Sequence, residues 1–444
     1  LATRFFRQRP DFARLWVGQS ISQLGSQVTL VALPLLAITT LNASTLEVGL
    51  LAGSETLPFL IVGLPAGVWV DRWRRRPVLI TADAGRGLLL ASVPLAHAFG
   101  ILHMAQLYVV AMGTGVLTVF FDVAYQAYVP NLVERDVLLD ANARLEVSHS
   151  AAQLVGPGIG GLLVQGFTAA TAILIDTISY ALSAFVLLGI RTEEPPPQRH
   201  IDEDGQARSL AASVREGLRY VLRHRLLAPL AACTALFNFF SAMAMAVFML
   251  YAVRELGVSA ATIGLLFSAG GLGFLVGTLL TTRIGRRFGV GTALSIGAVF
   301  QGTAFLLVPA APRSAPVPFF LAAMLLEALT GPVYNVTQIS LRQTVTPAHM
   351  QGRMTATMRF LVWGALPLGS VLGGVLGAAL GRRETLWVAA IGSALSALPV
   401  LLSPLRRLKD MPEPVVSSGI GSAHDAVWGQ DPPELPGPPP SATG

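Results

Sequence analysis

Seven ionisable side chains stand inside long apolar runs: Glu55, Asp83, Arg86, Asp122, Asp176, Glu327 and Arg359. A charge at mid-bilayer costs on the order of 3 kcal/mol on insertion scales, so such groups face a cavity or a partner. Asp83 and Arg86 are three residues apart on one helical face and can neutralise each other. Glu327 lies deep in its run, and Asp122 lies nearer an end. A carboxyl group in a low-dielectric cavity can exchange a proton near neutral pH. Glu327, Asp122 and Glu55, in that order, are therefore the expected proton-coupling groups. The alternative for each is a protonated, hydrogen-bonded carboxyl that only stabilises packing.

Polar, uncharged residues recur at helical spacing in the same runs. Gln19, Gln23 and Gln27 put three amides in a line. Gln126 and Thr118 share a face with Asp122, and Gly331 and Tyr334 share one with Glu327. A later run offers Thr234, Asn238 and Ser241, with Met243, Met245 and Met249 as soft, adaptable surface. The expected substrate cavity is built from Gln19, Gln23, Gln27, Gln126, Asn238, Tyr334 and Asn335. Such a cavity suits a bulky, partly apolar compound better than a sugar phosphate, which needs a basic clamp.

The elements that position these groups follow from composition. Of 444 residues, 53% are hydrophobic and only 13% are charged. Soluble chains carry about 25% charged residues, so lipid is the expected solvent for most of the surface. Apolar runs long enough to span a bilayer fall near residues 16–40, 46–70, 77–97, 105–128, 145–166, 168–190, 227–250, 262–282, 290–308, 319–341, 355–379 and 385–403. Runs five and six are separated by little more than Gly166-Phe167. Arg and Lys concentrate in alternate loops: the N-terminus, Arg72 to Arg76, Arg135, the centre of the chain, Arg283 to Arg287, Arg342, Arg353 and Arg406 to Lys409. The opposite loops carry only Arg254, Arg313, Arg382 and Arg383. The positive-inside rule then puts both termini in the cytoplasm, which requires an even number of spans. Arg4, Arg7, Arg9 and Arg14 precede a run too long for a cleavable leader.

The expected organisation is an N-terminal six-helix bundle (1–190), a cytoplasmic linker (191–226), a C-terminal six-helix bundle (227–404) and a disordered tail (405–444). Within the linker, Glu193-Glu194 and Pro195 to Pro197 stop helix six, and Asp202 to Gly205 form an acidic stretch. Leu210, Val214, Leu218, Val221 and Leu222 then recur at helical spacing among arginines. That segment reads either as an amphipathic helix on the membrane surface or as a solvated linker helix.

The halves repeat. Val48-Gly49-Leu50-Leu51 matches Ile263-Gly264-Leu265-Leu266, and Gly156, Gly160 and Gly161 recur at one offset as Gly369, Gly373 and Gly374. A six-plus-six repeat is a transporter layout with its site between the halves near the bilayer midplane. Gly156-Pro157-Gly158-Ile159-Gly160-Gly161 combines residues that let helices approach closely with a residue that kinks them. It resembles the antiporter motif of the major facilitator superfamily. Gly67-Val-Trp-Val-Asp71-Arg72-Trp-Arg74-Arg75-Arg76 resembles that superfamily's signature loop, with Arg74 where the pattern has glycine. A worn second copy holds Arg283, Gly285, Arg286 and Arg287, with Thr282 in place of the aspartate. Phe120-Phe121-Asp122-Val-Ala124 and Gly331-Pro332-Val-Tyr334-Asn335 look like the drug:proton antiporter branch that includes macrolide and enterobactin exporters.

The resemblance implies an all-α membrane protein with 12 transmembrane helices in two pseudo-symmetric bundles, and it covers residues 10 to 403. It implies a gate of Gly67, Asp71, Arg72, Arg75, Arg76, Arg283, Arg286 and Arg353, in which Asp71 faces the start of helix eleven. It places helices four and ten, with Asp122 and Glu327, on the central cavity. The chain lacks the arginine that many drug antiporters carry in helix four.

Other classes are disfavoured. The arginines sit in short clusters between apolar runs, not in a nucleic-acid-binding stripe. No G-x-x-x-x-G-K-[ST] loop, D-D-x-x-D cluster or metal-ligand spacing occurs, and Cys233 is the only cysteine. No enzyme activity, cofactor or metal is expected. The expected partners are a small molecule, protons and the bilayer, and the expected state is a monomer in a bacterial inner membrane. Proton-coupled efflux of an amphipathic compound (drug, macrolide-like or siderophore-like) is the leading expectation. A metabolite importer and a non-transporting membrane sensor are its rivals.

Overall fold

The structure is a computed structural model and describes residues 2–192, 194 and 210–412. The Pro195 to Pro197 stop, the acidic 202–205 stretch and the tail from 413 lie outside the described residues. A short helix, Ala2–Gln8, precedes twelve longer segments. In the first half these are α1 (Pro10–Thr39), α2 (Thr45–Ile61, resuming as Gly63–Val70), α3 (Arg75–Ala98), α4 (Met104–Leu132), α5 (Leu138–Gly166) and α6 (Ala169–Leu188). In the second they are α7 (Leu227–Arg254), α8 (Ala260–Phe288), α9 (Val290–Ala304, resuming as Leu307–Ala310), α10 (Pro316–Val345), α11 (Ala348–Ala379) and α12 (Arg382–Leu395, resuming as Leu398–Leu401). The linker helix, Leu210–Arg223, stands between them.

Ten of these segments are long and apolar enough to cross a membrane by length and composition. The other two, α2 and α5, pack between them on both sides. Large apolar side chains point outward around the bundle, among them Leu88, Val109, Phe185, Leu279 and Leu368. An exposed apolar surface of this extent fits lipid, not water.

Helix ends follow local chemistry. Ser44 and Glu47 cap α2 reciprocally: Ser44 Oγ accepts from Glu47 N (3.3 Å) and Glu47 Oε2 accepts from Ser44 N (2.7 Å). Ser259 caps α8 at the equivalent point of the repeat, accepting from Thr262 N. The break in α2 at Val62 precedes Pro65, which has no N–H to give to the carbonyl of Ile61. The turn between α5 and α6 lies at Phe167 and Thr168, one residue beyond the Gly166-Phe167 break expected from sequence. Three helices begin earlier than hydropathy implies: α1 at Pro10, α5 at Leu138 and α11 at Ala348. Their first turns are polar but still helical, and in α5 an Asp140–Arg144 pair at 3.0 Å supports the extension.

The packing is pseudo-symmetric. In the first half α1 lies on α5 and α6, α3 on α4 and α6, and α2 on α4. Adding six to each number gives the pairings of the second half: α7 on α11 and α12, α9 on α10 and α12, and α8 on α10. Across the halves α5 meets α8 and α11 meets α2, which is again one rule applied twice.

Candidate functional site: the seam between the halves and its carboxylates

The glycines of α5 and α11 build the seam. Gly156 and Gly160 lie against α1, at Gln27 and Val28, inside the first half. Gly161 turns the other way, and a Cβ there would lie 3.0 Å from the Cα of Gly264 on α8. In α11, Gly369 and Gly373 lie against Phe239 and Met243 of α7, and Gly374 turns to Gly49 of α2, 3.0 Å from a Cβ to its Cα. Backbones touch at these points, so only hydrogen fits. Pro157 lies inside α5 beside the seam, and Gly158 N donates across it to Ser268 Oγ at 2.9 Å.

Among the described residues, polar contacts between the halves gather at one end of the seam. At the end away from the arginine loops, Arg254 of α7 donates to Ile38 O (2.9 Å), Ala261 N to Gln165 Oε1 (3.1 Å), and Arg382 to Thr45 Oγ1 (3.2 Å). Arg382 also pairs with Glu255 at 3.0 Å. At the arginine-rich end, among the described residues, no hydrogen bond or ion pair joins the two six-helix bundles.

The gate residues are apart in this state. Gly67 has open space around it; Asp71, Arg72, Arg283 and Arg286 are exposed, and Asp71 has no bonded partner among the described residues. Arg74 takes an ordinary extended conformation (φ −68°, ψ 130°), so the loop closes without the glycine of the family pattern. The next residues are held by Glu194: its carboxylate accepts from Arg75 N (2.7 Å) and Arg76 N (3.3 Å), capping α3. The Arg76 guanidinium donates to Leu188 O (2.7 Å) at the end of α6. Arg353 pairs with Glu216 of the linker helix at 2.7 Å. That helix packs on the second half: Val221 is fully buried in its core with Leu230, Tyr334 and Met358, and Tyr220 donates to Val345 O (3.4 Å). Its apolar edge at Val221 therefore meets protein, while Leu222 is exposed.

A cavity of about 370 Å³ opens where α1 and α5 meet α7, α8 and α10, and it reaches back toward α9 and α12. Its walls include Gln27, Gln153, Met245, Met324, Phe248, Phe267, Phe274, Phe305 and Glu327. The Glu327 carboxylate makes no hydrogen bond or ion pair with any described residue. A Cβ on Gly331 would lie 3.5 Å from its Oε1 and 3.7 Å from the Oε1 of Gln301, which faces the same spot from α9.

Of the other polar residues expected to line a cavity, Gln19 and Gln23 lie along α1 with buried, unpartnered Oε1 atoms. Gln126 and Asn335 are exposed, the latter accepting from Gln338 (3.0 Å). Asn238 donates to Val362 O (3.0 Å), tying α7 to α11. Tyr334 is buried and shares a hydrogen bond with Thr234 (2.9 Å), tying α10 to α7. Thus Gln27 and Glu327 line the same cavity, from different halves, and the others are not among its walls. Glu55 is half-buried on α2 with no bonded partner among the described residues. Asp122 is half-buried on α4, where the charges of Arg86, His149 and, from the other half, Arg359 act on it.

A second polar cluster lies wholly within the first half. Asp83 and Arg86 form a buried ion pair, and Ser183 donates to Asp83 Oδ2 (2.5 Å). The Arg86 guanidinium sits 4.4 Å from the ring centroids of both Phe121 and Tyr180. Asp176 accepts from Thr29 (2.5 Å) and Ser179 (2.9 Å), and Tyr180 shares a hydrogen bond with Ser26 (2.7 Å). The cluster binds α1, α3, α4 and α6 together. The sequence reading paired Asp83 with Arg86 and missed the rest. The serines at 179 and 183, one turn apart on the face of Asp176, were its only local sign.

Two pseudo-symmetric six-helix bundles, joined by glycine seams around an internal cavity, define a membrane transporter of the major facilitator type. The chain belongs to the transmembrane secretion effector family of that superfamily, which it matches over residues 5–419. It is 29% identical over 418 residues to the multidrug efflux pump Tap of Mycobacterium tuberculosis (strain ATCC 25618 / H37Rv), covering 90% of this chain and 95% of that protein. It is 27% identical over 431 residues to the enterobactin exporter EntS of Escherichia coli O6:K15:H31 (strain 536 / UPEC), covering 93% and 97%. The fold is shared with a bacterial homologue of the iron transporter ferroportin in its inward-facing state (TM-score 0.67, 16% identity, 88% of this chain and 98% of that one). It is also shared with an inward-facing, occupied bacterial homologue of the lysosomal transporter Spinster (TM-score 0.68, 14% identity, 89% and 96%).

Proposed function

We propose that the chain is a proton-coupled exporter of small amphipathic compounds, working by alternating access as a monomer in a bacterial inner membrane. The observation that carries this reading is the one-ended seam beside an internal cavity whose carboxylate, Glu327, has no partner. The positive-inside rule supports placing the arginine loops and both termini in the cytoplasm, so that the state described is inward-facing. The relatives named as efflux pumps support the direction of transport. Glu327 is the first candidate for proton coupling because it lines the cavity; Asp122 and Glu55 follow.

The test is efflux in a host lacking its own pumps, scored with macrolides, tetracyclines, dyes and siderophores. Collapsing the proton gradient is expected to raise intracellular substrate in cells expressing the chain. Glu327→Gln is expected to remove that response, lowering gradient-driven efflux by roughly tenfold or more, in the range seen for lost proton-transfer groups. A normal response in Glu327→Gln, Asp122→Asn and Glu55→Gln together rejects the coupling assignment.

The gate makes a separate prediction. In the outward-facing state Asp71 closes on the start of α11, near Arg353, while in the inward-facing state Glu216 holds that arginine. Asp71→Asn removes a charge-assisted contact that exists in one state only, costing about 1.5–3 kcal/mol there. Transport is expected to fall at least about tenfold on that scale while the protein still inserts normally. Wild-type flux in Asp71→Asn eliminates the gate.

A further inference from the structure

A second pocket stands apart from the seam, in the first half at the arginine-rich end. It holds about 580 Å³ between the loop after α2, the first turns of α3 and the flank of α4. Arg72, Trp73, Arg74 and Thr81 bring its polar wall, and Val78, Leu117 and Phe120 its apolar one. Both arginines are exposed, and among the described residues neither has a hydrogen-bonded or ion-paired partner. No carboxylate stands in the walls. Asp71 lies outside them, and Glu194 is engaged by Arg75 N and Arg76 N at 2.7 and 3.3 Å. The start of α3 is therefore already capped, and the arginine side chains, not the helix end, supply the positive charge.

The apolar wall faces the surroundings of the bundle. Phe120 lies between two indoles, its ring centroid 6.0 Å from that of Trp69 and 5.9 Å from that of Trp73. Those indoles are 42% and 49% exposed, and tryptophan gathers where headgroups meet hydrocarbon. From the pocket an exposed row, Thr81, Ala84, Leu88 and Leu95, runs along α3. At 1.5 Å per residue it is about 21 Å long. One leaflet supplies about 15 Å of hydrocarbon, half of the core. An acyl chain can lie along this row while its headgroup sits among the arginines.

Guanidinium groups match phosphate oxygens with paired N–H donors. Two cations without a carboxylate favour a ligand of net negative charge over a zwitterion, whose own ammonium would meet Arg72 and Arg74. The arrangement belongs to one half. The second copy of the loop has Ile284 and Gly285 where the first has Trp73 and Arg74. Arg74 is also the residue that departs from the superfamily's loop pattern, so its charge is no part of that pattern.

We propose that this pocket binds one anionic phospholipid, with the phosphodiester between Arg72 and Arg74 and an acyl chain along Phe120, Leu117 and the exposed row of α3. Binding here is independent of what the chain transports.

The purified full chain in neutral detergent is titrated with dioleoylphosphatidylglycerol and, separately, with dioleoylphosphatidylcholine, and bound lipid is counted by native mass spectrometry. Saturable binding of one phosphatidylglycerol per chain is expected, at least about fivefold tighter than phosphatidylcholine, the share of one arginine near a headgroup. Arg74→Gln is expected to weaken phosphatidylglycerol binding by about fivefold on the same scale, and Arg74→Lys by less. Arg406→Gln removes an exposed arginine outside the pocket and is expected to change nothing. Position is read from a single cysteine, Thr81→Cys on a Cys233→Ser background. Its reaction with a water-soluble maleimide is expected to slow when phosphatidylglycerol is added and to keep its rate with phosphatidylcholine. Inorganic phosphate in excess is expected to displace no lipid. Equal affinity for the two lipids, equal weakening by Arg74→Gln and Arg406→Gln, or a Thr81→Cys rate indifferent to phosphatidylglycerol overturns the proposal. Displacement by inorganic phosphate overturns it as well, since the anion alone would then fill the site. The comparison of the two lipids needs no variant and so survives a variant that fails to fold.

Discussion

Arg86→Gln is expected to be the most destabilising single change in the first half. Arg86 and Asp83 are 5% and 0% exposed, and their ion pair lies within the bundle. Removing the guanidinium leaves Asp83 with only the Ser183 hydroxyl, at 2.5 Å, to solvate it. It also removes the cation from between the rings of Phe121 and Tyr180. Breaking one side of a buried pair costs about 3–5 kcal/mol, chiefly because the surviving charge has no partner. For a bundle of this size that corresponds to a fall of roughly 6–20 °C in apparent melting temperature. The double change Asp83→Asn with Arg86→Gln removes both charges and is expected to recover more than half of that loss. Size-exclusion chromatography after graded heating of the purified variants gives both numbers. If the double variant is no more stable than Arg86→Gln alone, the pair is not what holds α3 to α6, and the ring contacts and Ser183 carry the cluster instead.

That cluster also marks where sequence reasoning stopped. Ten of the twelve segments were legible because lipid demands a long apolar run, and most of the arginines flank those runs on one side. The seam was legible as well. Glycine at 156, 160 and 161, and again at 369, 373 and 374, can be read as backbone contact because little else favours a small residue there at helical spacing. The partners of polar groups were not legible. Asp176 reaches Thr29 across 147 positions, and Glu194 reaches Arg75 across 119. Nothing in the local pattern of either residue names its partner. The cavity was half legible. Glu327 and Gln27 could be picked out because polarity is costly in a membrane helix. Phe267, Phe274 and Phe305 could not, because a phenylalanine facing a cavity looks the same in sequence as one facing lipid. Asn238 and Tyr334 erred the other way: they are polar inside the membrane because they tie helices together, which uses the same residue types as binding a substrate.

Gly264→Val is expected to shift the protein away from the state in which the seam is closed at the end opposite the arginine loops. A Cβ at Gly264 would lie 2.9 Å from the Cα of Gly161, with the Pro157 carbonyl closer still. Both obstacles are backbone, so neither can swing aside, and α5 must part from α8. Overpacking of this kind costs typically about 1–3 kcal/mol. Because the contact exists in one state of the transport cycle only, the whole cost appears as a change in population, roughly fivefold to 150-fold. Cysteines placed at Gln165 and Ala261, which meet across this seam through a 3.1 Å hydrogen bond, report it directly. With Cys233 replaced by serine, their oxidative cross-linking is expected to be fast in the parent and at least about fivefold slower in Gly264→Val, in line with the population change. Gly166→Ala, where an added Cβ meets nothing within 4 Å, is expected to leave the rate unchanged. The pseudo-symmetry then makes a stricter demand. A Cβ at Gly374 would lie 3.0 Å from the Cα of Gly49 and 3.1 Å from Leu46 O, in the same relation to α2 that Gly161 bears to α8. Gly374→Val must therefore slow the same cross-link, although it lies in the other seam and touches neither cysteine. The two seams can only open together if the halves rock as rigid bodies about the cavity between them. An effect of Gly264→Val without one of Gly374→Val would mean that α5 and α8 part locally, and that rocking of whole halves is not the motion.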